Sequence, residues 1–441
     1  MSWLQHFDAL ADHLSTGLPS GEGFTLSLEA EDTSFVRFNR GRVRQPGDVR
    51  QARVSLRMVR GQRHTSSTVT LTGDPAADRK RLTQERDALR QMLGAIPEDP
   101  HLLLNTQPVS TRSVASNTLP DARTATGAIA DAVRDLDMVG IFATGGMHRA
   151  FANHLGQRNH FTSHAFLLDF SLVASGDKAV KLSYGGTAWS DVALLAKVTE
   201  GRSRLDALSR PAHTLKPGAY RAFLAPAAVG EVFDLLSWDA FSLRAQRAGS
   251  SPLSKLIQGR ASFDRQVTLL EHTAEGLGPN FQGAGFLKPD AVPLITDGKH
   301  TASLVSPRSA REYGVAQNGA SDAEQPCAIA LAAGSLPTAD ALSALGTGVW
   351  VSNLWYLNHS DRNAGRITGM TRFATFWVEG GQLVAPLAVM RFDDPLYDLL
   401  GSNLQAITAE RELMPSASTY DARSTDVQQL PGVLTRLTFT L

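Results

Sequence analysis

From Phe24 to Gly73 apolar and polar side chains alternate, interrupted by two turn signals, Pro46-Gly47-Asp48 and Arg60-Gly61-Gln62. Val54, Leu56 and Met58 fall on one strand face and Arg53, Ser55 and Arg57 on the other. A period of two cannot be satisfied by a helix, so this stretch commits the first part of the chain to an antiparallel meander. Its apolar face needs a covering layer. The preceding MSWLQHFDALADHLSTG supplies one, with Trp3, Leu4, Phe7, Leu10, Ala11 and Leu14 at helical spacing. Asp74-Pro75 then opens a second helix, expected from about Ala76 to Leu93, with proline in its first turn.

Further on, Gly94 to Pro120 reads as a loop, Ala122 to Leu136 as a helix, Phe142 to Trp189 as β-rich and Asp191 to Leu208 as a helix. The segment SRPAHTLKPG, Ser209 to Gly218, carries two prolines and marks a boundary. It divides the chain into an N-terminal α+β domain, residues 1–208, and a β-rich C-terminal domain, residues 209–441. Beyond it YRAFLAP is a short strand, Ala227 to Ala245 a helix, and the rest mostly strands and loops. Strands and helices without strict βαβ alternation predict an α+β fold.

Lys+Arg and Asp+Glu both number 43, so no global charge steers the chain to nucleic acid or an acidic membrane. One cysteine, Cys327, excludes an internal disulfide framework or a cysteine-rich zinc module. The first residues lack a basic n-region, an apolar h-region and a cleavage site, and no run approaches the roughly 18 apolar residues of a membrane span. A cytoplasmic protein is expected.

Several constellations invite a chemical reading. Nine arginines between Arg37 and Arg63 surround a single acid, Asp48, and Arg53 and Arg57 on one face would form a polyanion surface. Zero net charge favours a solvated sheet face paired with acids elsewhere. His148, His154, His160 and His164 crowd around an Asn153-His154-Leu155-Gly156 turn. On strands, residues four apart lie about 13 Å apart, too far to share an ion. EHTAEG (Glu271 to Gly276) matches no zinc-helix pattern, and Ser251, Ser254 and Lys255 in AGSSPLSK match neither S-x-x-K nor G-x-S-x-G. No P-loop or GxGxxG fingerprint occurs.

The densest run is LGTGVWVSNLWYLNHSDRNAGRITGMTRFATFWVEGGQLVAPLAVMRFDD. Asn353 lies in its first strand, and a loop with Asn358, His359, Asp361, Arg362 and Asn363 follows. Thr368-Gly369-Met370-Thr371-Arg372 then precedes a buried strand that turns at Glu379-Gly380-Gly381. Gly369 would admit a close ligand backbone and Arg372 could hold a carboxylate. Asn353, Thr368, Gly369, Thr371 and Arg372 are thus candidates for substrate binding, and a tight hairpin whose arginine pairs internally fits the residues equally well. An added peptide strand would have its register set by Thr371 and Arg372.

These stretches resemble the TldD/PmbA family, labelled "modulator of DNA gyrase" and regarded as metallopeptidase-type. The resemblance is carried by FVRFNRGRVRQ, PGAYRAFLAPAAVGEVFDLL (Pro217 to Leu236), GTGVWVSNLWY, AGRITGMTRFATFWVEGGQLVAPLAVMRFDDPLYDLL (Ala364 to Leu400) and LPGVLTRLTFTL. Hydrolytic members carry an HExxxH helix and a late cysteine as zinc ligands. Here the helix reads EVFDLLSWDAFSLRAQ, no cysteine follows Cys327, and the family's FDxEG loop reads FQGAG (Phe281 to Gly285). A zinc hydrolase needs about three protein ligands, which Asp234 and Asp239 do not complete. The resemblance thus implies the zinc-less PmbA or TldE-like branch: no catalytic or metal residue here, zinc only in a TldD-like partner, and an unfolded peptide as substrate. Two alternatives remain: a stand-alone homodimer binding peptide or polyanion, and a hydrolase built on Ser251, Lys255 or the histidines.

Overall fold

The computed structural model of the chain describes residues 2–174 and 178–440. Strands and helices alternate irregularly, as an α+β fold requires. The strands are β1 (Glu22–Asn39), β2 (Arg42–Arg60), β3 (Arg63–Thr70), β4 (Thr111–Val114), β5 (Met138–Asn153), β6 (Arg158–Val173), β7 (Ala179–Gly186), β8 (Gly218–Leu224), β9 (Leu269–Glu271), β10 (Val292–Thr296), β11 (Lys299–His300), β12 (Ala328–Leu331), β13 (Gly348–Asp361), β14 (Arg366–Glu379), β15 (Gln382–Pro386), β16 (Arg391–Pro395), β17 (Ala406–Pro415) and β18 (Val427–Thr440). The helices are α1 (Trp3–Ser15), α2 (Pro75–Met92), α3 (Ala122–Ala132), α4 (Asp191–Leu208), α5 (Pro226–Ser237), α6 (Leu243–Arg247), α7 (Ser254–Ile257), α8 (Pro307–Tyr313) and α9 (Ala341–Leu345).

The first sheet has the order β3-β2-β1-β5-β6-β4, with β7 beside β6. The alternation read from Arg53 to Met58 is realised: Val54, Leu56 and Met58 are fully buried, facing Phe7 and Leu10 of α1 and Leu82 and Leu89 of α2. Pro46-Gly47-Asp48 is not a turn. It runs inside β2, opposite Val36, Phe35 and Ser34. The chain instead reverses at Arg40-Gly41, both at positive φ (53° and 66°). Pro46 is tolerated because β3 pairs β2 only from Arg53 onward, so β2 is an edge strand at that point and needs no donor there.

The second sheet runs β11-β10-β9-β12-β18-β16-β14-β13-β8, and β8 also pairs β18. β8, β13, β14, β16 and β18 therefore close a ring. Ala222, Leu224, Val349, Val351, Phe392, Leu437 and Phe439 share one core with the apolar face of α5. Alternate residues point the other way. Phe223, Trp350, Phe376 and Leu434 join Phe142, Phe166 and Phe170 of the first sheet and Ile129, Leu194 and Val198 of α3 and α4 in a second core. The two sheets thus share buried side chains, and the cleft described below lies where they meet.

The helix expected from Ala227 to Ala245 is broken. α5 ends at Ser237, and the Ser242 hydroxyl accepts from the Ala245 N–H to start α6 separately. TGMTR does not precede the buried strand but belongs to it. Thr368 to Arg372 lie inside β14, and only residues 362–365 connect it to β13. No helix among the described residues is long and apolar enough to cross a membrane.

Candidate functional site

The outer face of α5 forms one wall of a cleft of about 490 Å³, facing β6 and β7 of the first sheet. Glu231 and Asp234 are one turn apart on α5 and face it, joined by Asp426 before β18, Asp169 from β6, Lys181 from β7 and Cys327 before β12. Lys181 Nζ stands 3.6 Å from Asp169. No cation lies within ion-pair distance of Glu231, Asp234 or Asp426 among the described residues. Burial, and then the neighbouring Asp426 carboxylate, push Asp234 up to about 6 although water still reaches it. Burial and Asp234 likewise raise Glu231, and burial raises Asp169 against the pull of Lys181. Burial pushes the Cys327 thiol up to about 12, so it is not a thiolate near neutral pH.

Gln428, on β18, organises the floor. Its Nε2 donates to Asp234 Oδ1 at 2.6 Å and to the Gly230 carbonyl at 3.3 Å. A Cβ placed on Gly230 would lie 2.6 Å from Gln428 Oε1. With the glutamate of an HExxxH motif set on Glu231, the histidine positions fall on Gly230 and Leu235. The first has no side chain and its space holds the Gln428 amide; the second is apolar. Among the described residues no group of three or more His, Cys, Asp or Glu stands close enough to hold a metal ion. A tetrahedral zinc site needs soft or imidazole donors at about 2.0–2.3 Å, and these residues do not fit one. The FQGAG loop lies elsewhere: Gly285, at φ +83°, packs on the Phe151 ring of β5 and its carbonyl accepts from Asn105 and Gln157.

Of the residues assigned to substrate binding, only Asn353 lines this cleft. It is 6% exposed and its Oδ1 has no partner. Thr368 Oγ1 donates to the Phe392 carbonyl at 2.9 Å, and Thr371 Oγ1 accepts from the Met390 N–H at 3.0 Å. A Cβ on Gly369 would meet Phe392 at 2.9 Å and Leu357 at 3.1 Å, so the missing side chain makes room for core residues rather than a ligand. β14 is paired on both sides, by β13 and β16, from Arg366 to Met370, which corrects the expectation that a peptide strand could add to TGMTR. Arg372 is exposed, has no acid partner among the described residues, and stacks over Trp355 and Phe373, 5.1 and 5.4 Å from their ring centroids.

The other signals resolve into structure. Arg53 forks onto Asp421 and Arg57 stands 3.7 Å from Asp322, so both bind the second half of the chain and are not free for a polyanion. Arg37, Arg40, Arg42 and Arg44, nearer the hairpin tip, have no acid within 4.0 Å among the described residues. His148 hydrogen-bonds Thr162, His154 the Phe24 carbonyl and His160 Asp8, each separately. Ser251 is 1% exposed and its hydroxyl donates to the Ala240 carbonyl, which removes it as a nucleophile.

Residues 217–433 match the family described as the PmbA/TldA metallopeptidase C-terminal domain. Over those residues the chain carries the C-terminal domain of the TldD/PmbA family. Solved structures agree on the fold. TldE from Thermococcus kodakarensis is 12% identical with a TM-score of 0.75, over 95% of this chain and 96% of that one. A proposed modulator of a DNA gyrase from Thermotoga maritima is 13% identical with a TM-score of 0.76, over 99% of this chain and 100% of that one. A third, from Bacteroides thetaiotaomicron and likewise described as a proposed modulator of DNA gyrase, is 12% identical with a TM-score of 0.73, over 99% and 98%. A search of curated protein sequences gives no match. The TldD/PmbA fold thus accounts for the arrangement of the two sheets, and the family is metallopeptidase-type.

Proposed function

We propose that this TldD/PmbA chain is the metal-free subunit of a two-component peptidase. Its cleft beside α5 takes hold of unfolded peptide, and a TldD-like partner carrying zinc performs the hydrolysis. The observation that carries this reading is Gln428. Its amide fills the space above Gly230, where a metal-binding side chain would project, and it ties up Asp234 on the same helix. The cleft persists around a centre whose ligand positions are gone, which suits a binding role better than a catalytic one. Asn353, on the cleft wall, is the substrate contact retained from the sequence assignment, and Arg372 is a contact outside it.

The test is zinc content and peptidase activity of the pure chain, alone and mixed with an HExxxH-bearing homologue from the same organism. No stoichiometric zinc, no cleavage alone, and cleavage appearing on mixing is the expected result. Chelator-sensitive cleavage by the lone chain would overturn it. Peptide binding by the lone chain, with no gain on mixing, would instead establish a stand-alone binding protein.

A further inference from the structure

The acidic cleft continues into a second hollow, of about 600 Å³, along one face of the first sheet. Asp169 and Lys181 line both. Gln45, Arg37, Ile141, Asp169 and Ser183 are successive cross-strand partners on β2, β1, β5, β6 and β7, so their side chains share that face. In a regular strand Arg44, next to Gln45, would point to the opposite face. But β2 carries one extra residue here: Arg37 pairs Gln45 while Phe38 pairs Val43, and Arg44 is left over between them. Such a bulge re-aims a side chain, and Arg44 lines the hollow together with Arg37 and Gln45.

Both arginines are exposed, and neither has an acid partner among the described residues. Neighbouring strands lie about 4.8 Å apart, which sets Arg37 roughly 10 Å from Asp169 and roughly 14 Å from Ser183 along the row. Asp169 is engaged instead by Lys181, at 3.6 Å. The walls of the hollow are apolar: Val139, 44% exposed, Ile141, and Phe373 from β14. Phe373 is held at φ +58°, a backbone conformation costly for an aromatic residue, and Arg372 stacks 5.4 Å from its ring centroid.

Charge is therefore separated along one continuous trough. Glu231, Asp234 and Asp426 stand without a cation at one end, Arg37 and Arg44 without an acid at the other, and the Lys181–Asp169 pair between them cancels. A carboxylate on a ligand lying in the trough is repelled from the first end and drawn to the second, where guanidinium forks match its two oxygens. Four extended residues, at roughly 3.3 Å each, cover the distance from Ser183 to Arg37.

We propose that a peptide seated in the cleft extends across β7, β6, β5 and β1 and places a carboxylate, from an acidic side chain or from its carboxyl end, between Arg37 and Arg44. The chain thereby selects peptides carrying a negative charge about four residues from the part in the cleft. This rests on the peptide-binding reading above.

Calorimetry on the full-length chain at constant, low ionic strength tests it with three hexapeptides: acetyl-Ala-Ser-Ala-Ser-Ala-Gln as its amide, the same amide with Glu in place of Gln, and the Gln peptide with a free carboxyl end. At least one charged peptide should bind about tenfold tighter than the neutral one. The tighter of the two identifies the carboxylate as side chain or chain end. In Arg37→Gln/Arg44→Gln the advantage should vanish while the neutral peptide binds as before, with the thermal midpoint unchanged because both side chains are exposed and unpaired. Equal binding of all three peptides to the parent overturns the proposal and leaves the peptide cleft standing. An acid preference that survives the double substitution overturns it as well. Binding of a short oligothymidylate that needs the two arginines, with no acid preference among the peptides, would give this face to a polyanion instead. Failure of all three peptides to bind would remove the peptide-binding reading and this proposal with it.

Discussion

Asp234→Asn removes the most perturbed carboxylate of the cleft while keeping its shape and an oxygen that can accept from Gln428. In the folded chain the group titrates at about 6, against 3.8 without the fold, because burial and Asp426 disfavour the charge. Between those values the folded chain holds a proton that the unfolded chain has released, so stability falls as pH rises. A dry group would register the whole shift, but Asp234 is reached by water, and screening reduces the expected effect to about 1 kcal/mol. The variant should be more stable than the parent by that amount above pH 7. The difference should shrink through pH 6 and vanish below about pH 4, where both chains are neutral at this position. Glu231, Asp169, Lys181, Asp426 and Cys327 face the same space but are common to both chains, so the difference isolates Asp234. Urea midpoints at several pH values, by fluorescence and circular dichroism together, provide the measurement. A variant less stable at neutral pH, or a difference independent of pH, would show that the hydrogen bond to Gln428 outweighs the charge, and would refute the electrostatic account.

Two further substitutions separate scaffold from surface. Gly145→Ala should destabilise by about 3 kcal/mol or more, read as a lower urea midpoint, because a Cβ there would sit 2.1 Å from the Asp32 carbonyl oxygen at φ +146°. Arg372→Ala should change stability by less than about 0.5 kcal/mol, since the side chain is exposed and lacks an acid partner, yet slow peptide processing by the mixed complex. Loss of folding in that variant would make Arg372 a structural residue instead.

Local patterns were legible wherever one face of an element is buried and the other wet. The spacing of Trp3 to Leu14 gave α1, and Val54, Leu56 and Met58 gave the buried face of β2, because a half-buried element writes its period into the chain. Pro46-Gly47-Asp48 misled because proline is also permitted on an unpaired strand edge, and pairing is a property of the sheet rather than of the tripeptide. TGMTR misled for a related reason. Its glycine and hydroxyls look like ligand-binding chemistry, but they fit Phe392, Leu357 and Met390, residues from neighbouring strands that no local window contains.

The cleft shows the same limit more sharply. Glu231 and Asp234 are one helical turn apart, so their shared face could be read from spacing. Their meaning depends on Asp169 and Lys181 from the first sheet and on Asp426 and Gln428 from the far end of the chain, brought together only when both sheets share the core built on Phe166, Phe223 and Trp350. A family motif could show that histidines are missing from this helix. Only the fold shows what stands beside that helix: a glutamine whose amide lies against Gly230 and donates to Asp234. A side chain placed at 230 would have to push the Gln428 amide aside and so loosen its hold on Asp234, which couples the two positions across the helix and β18.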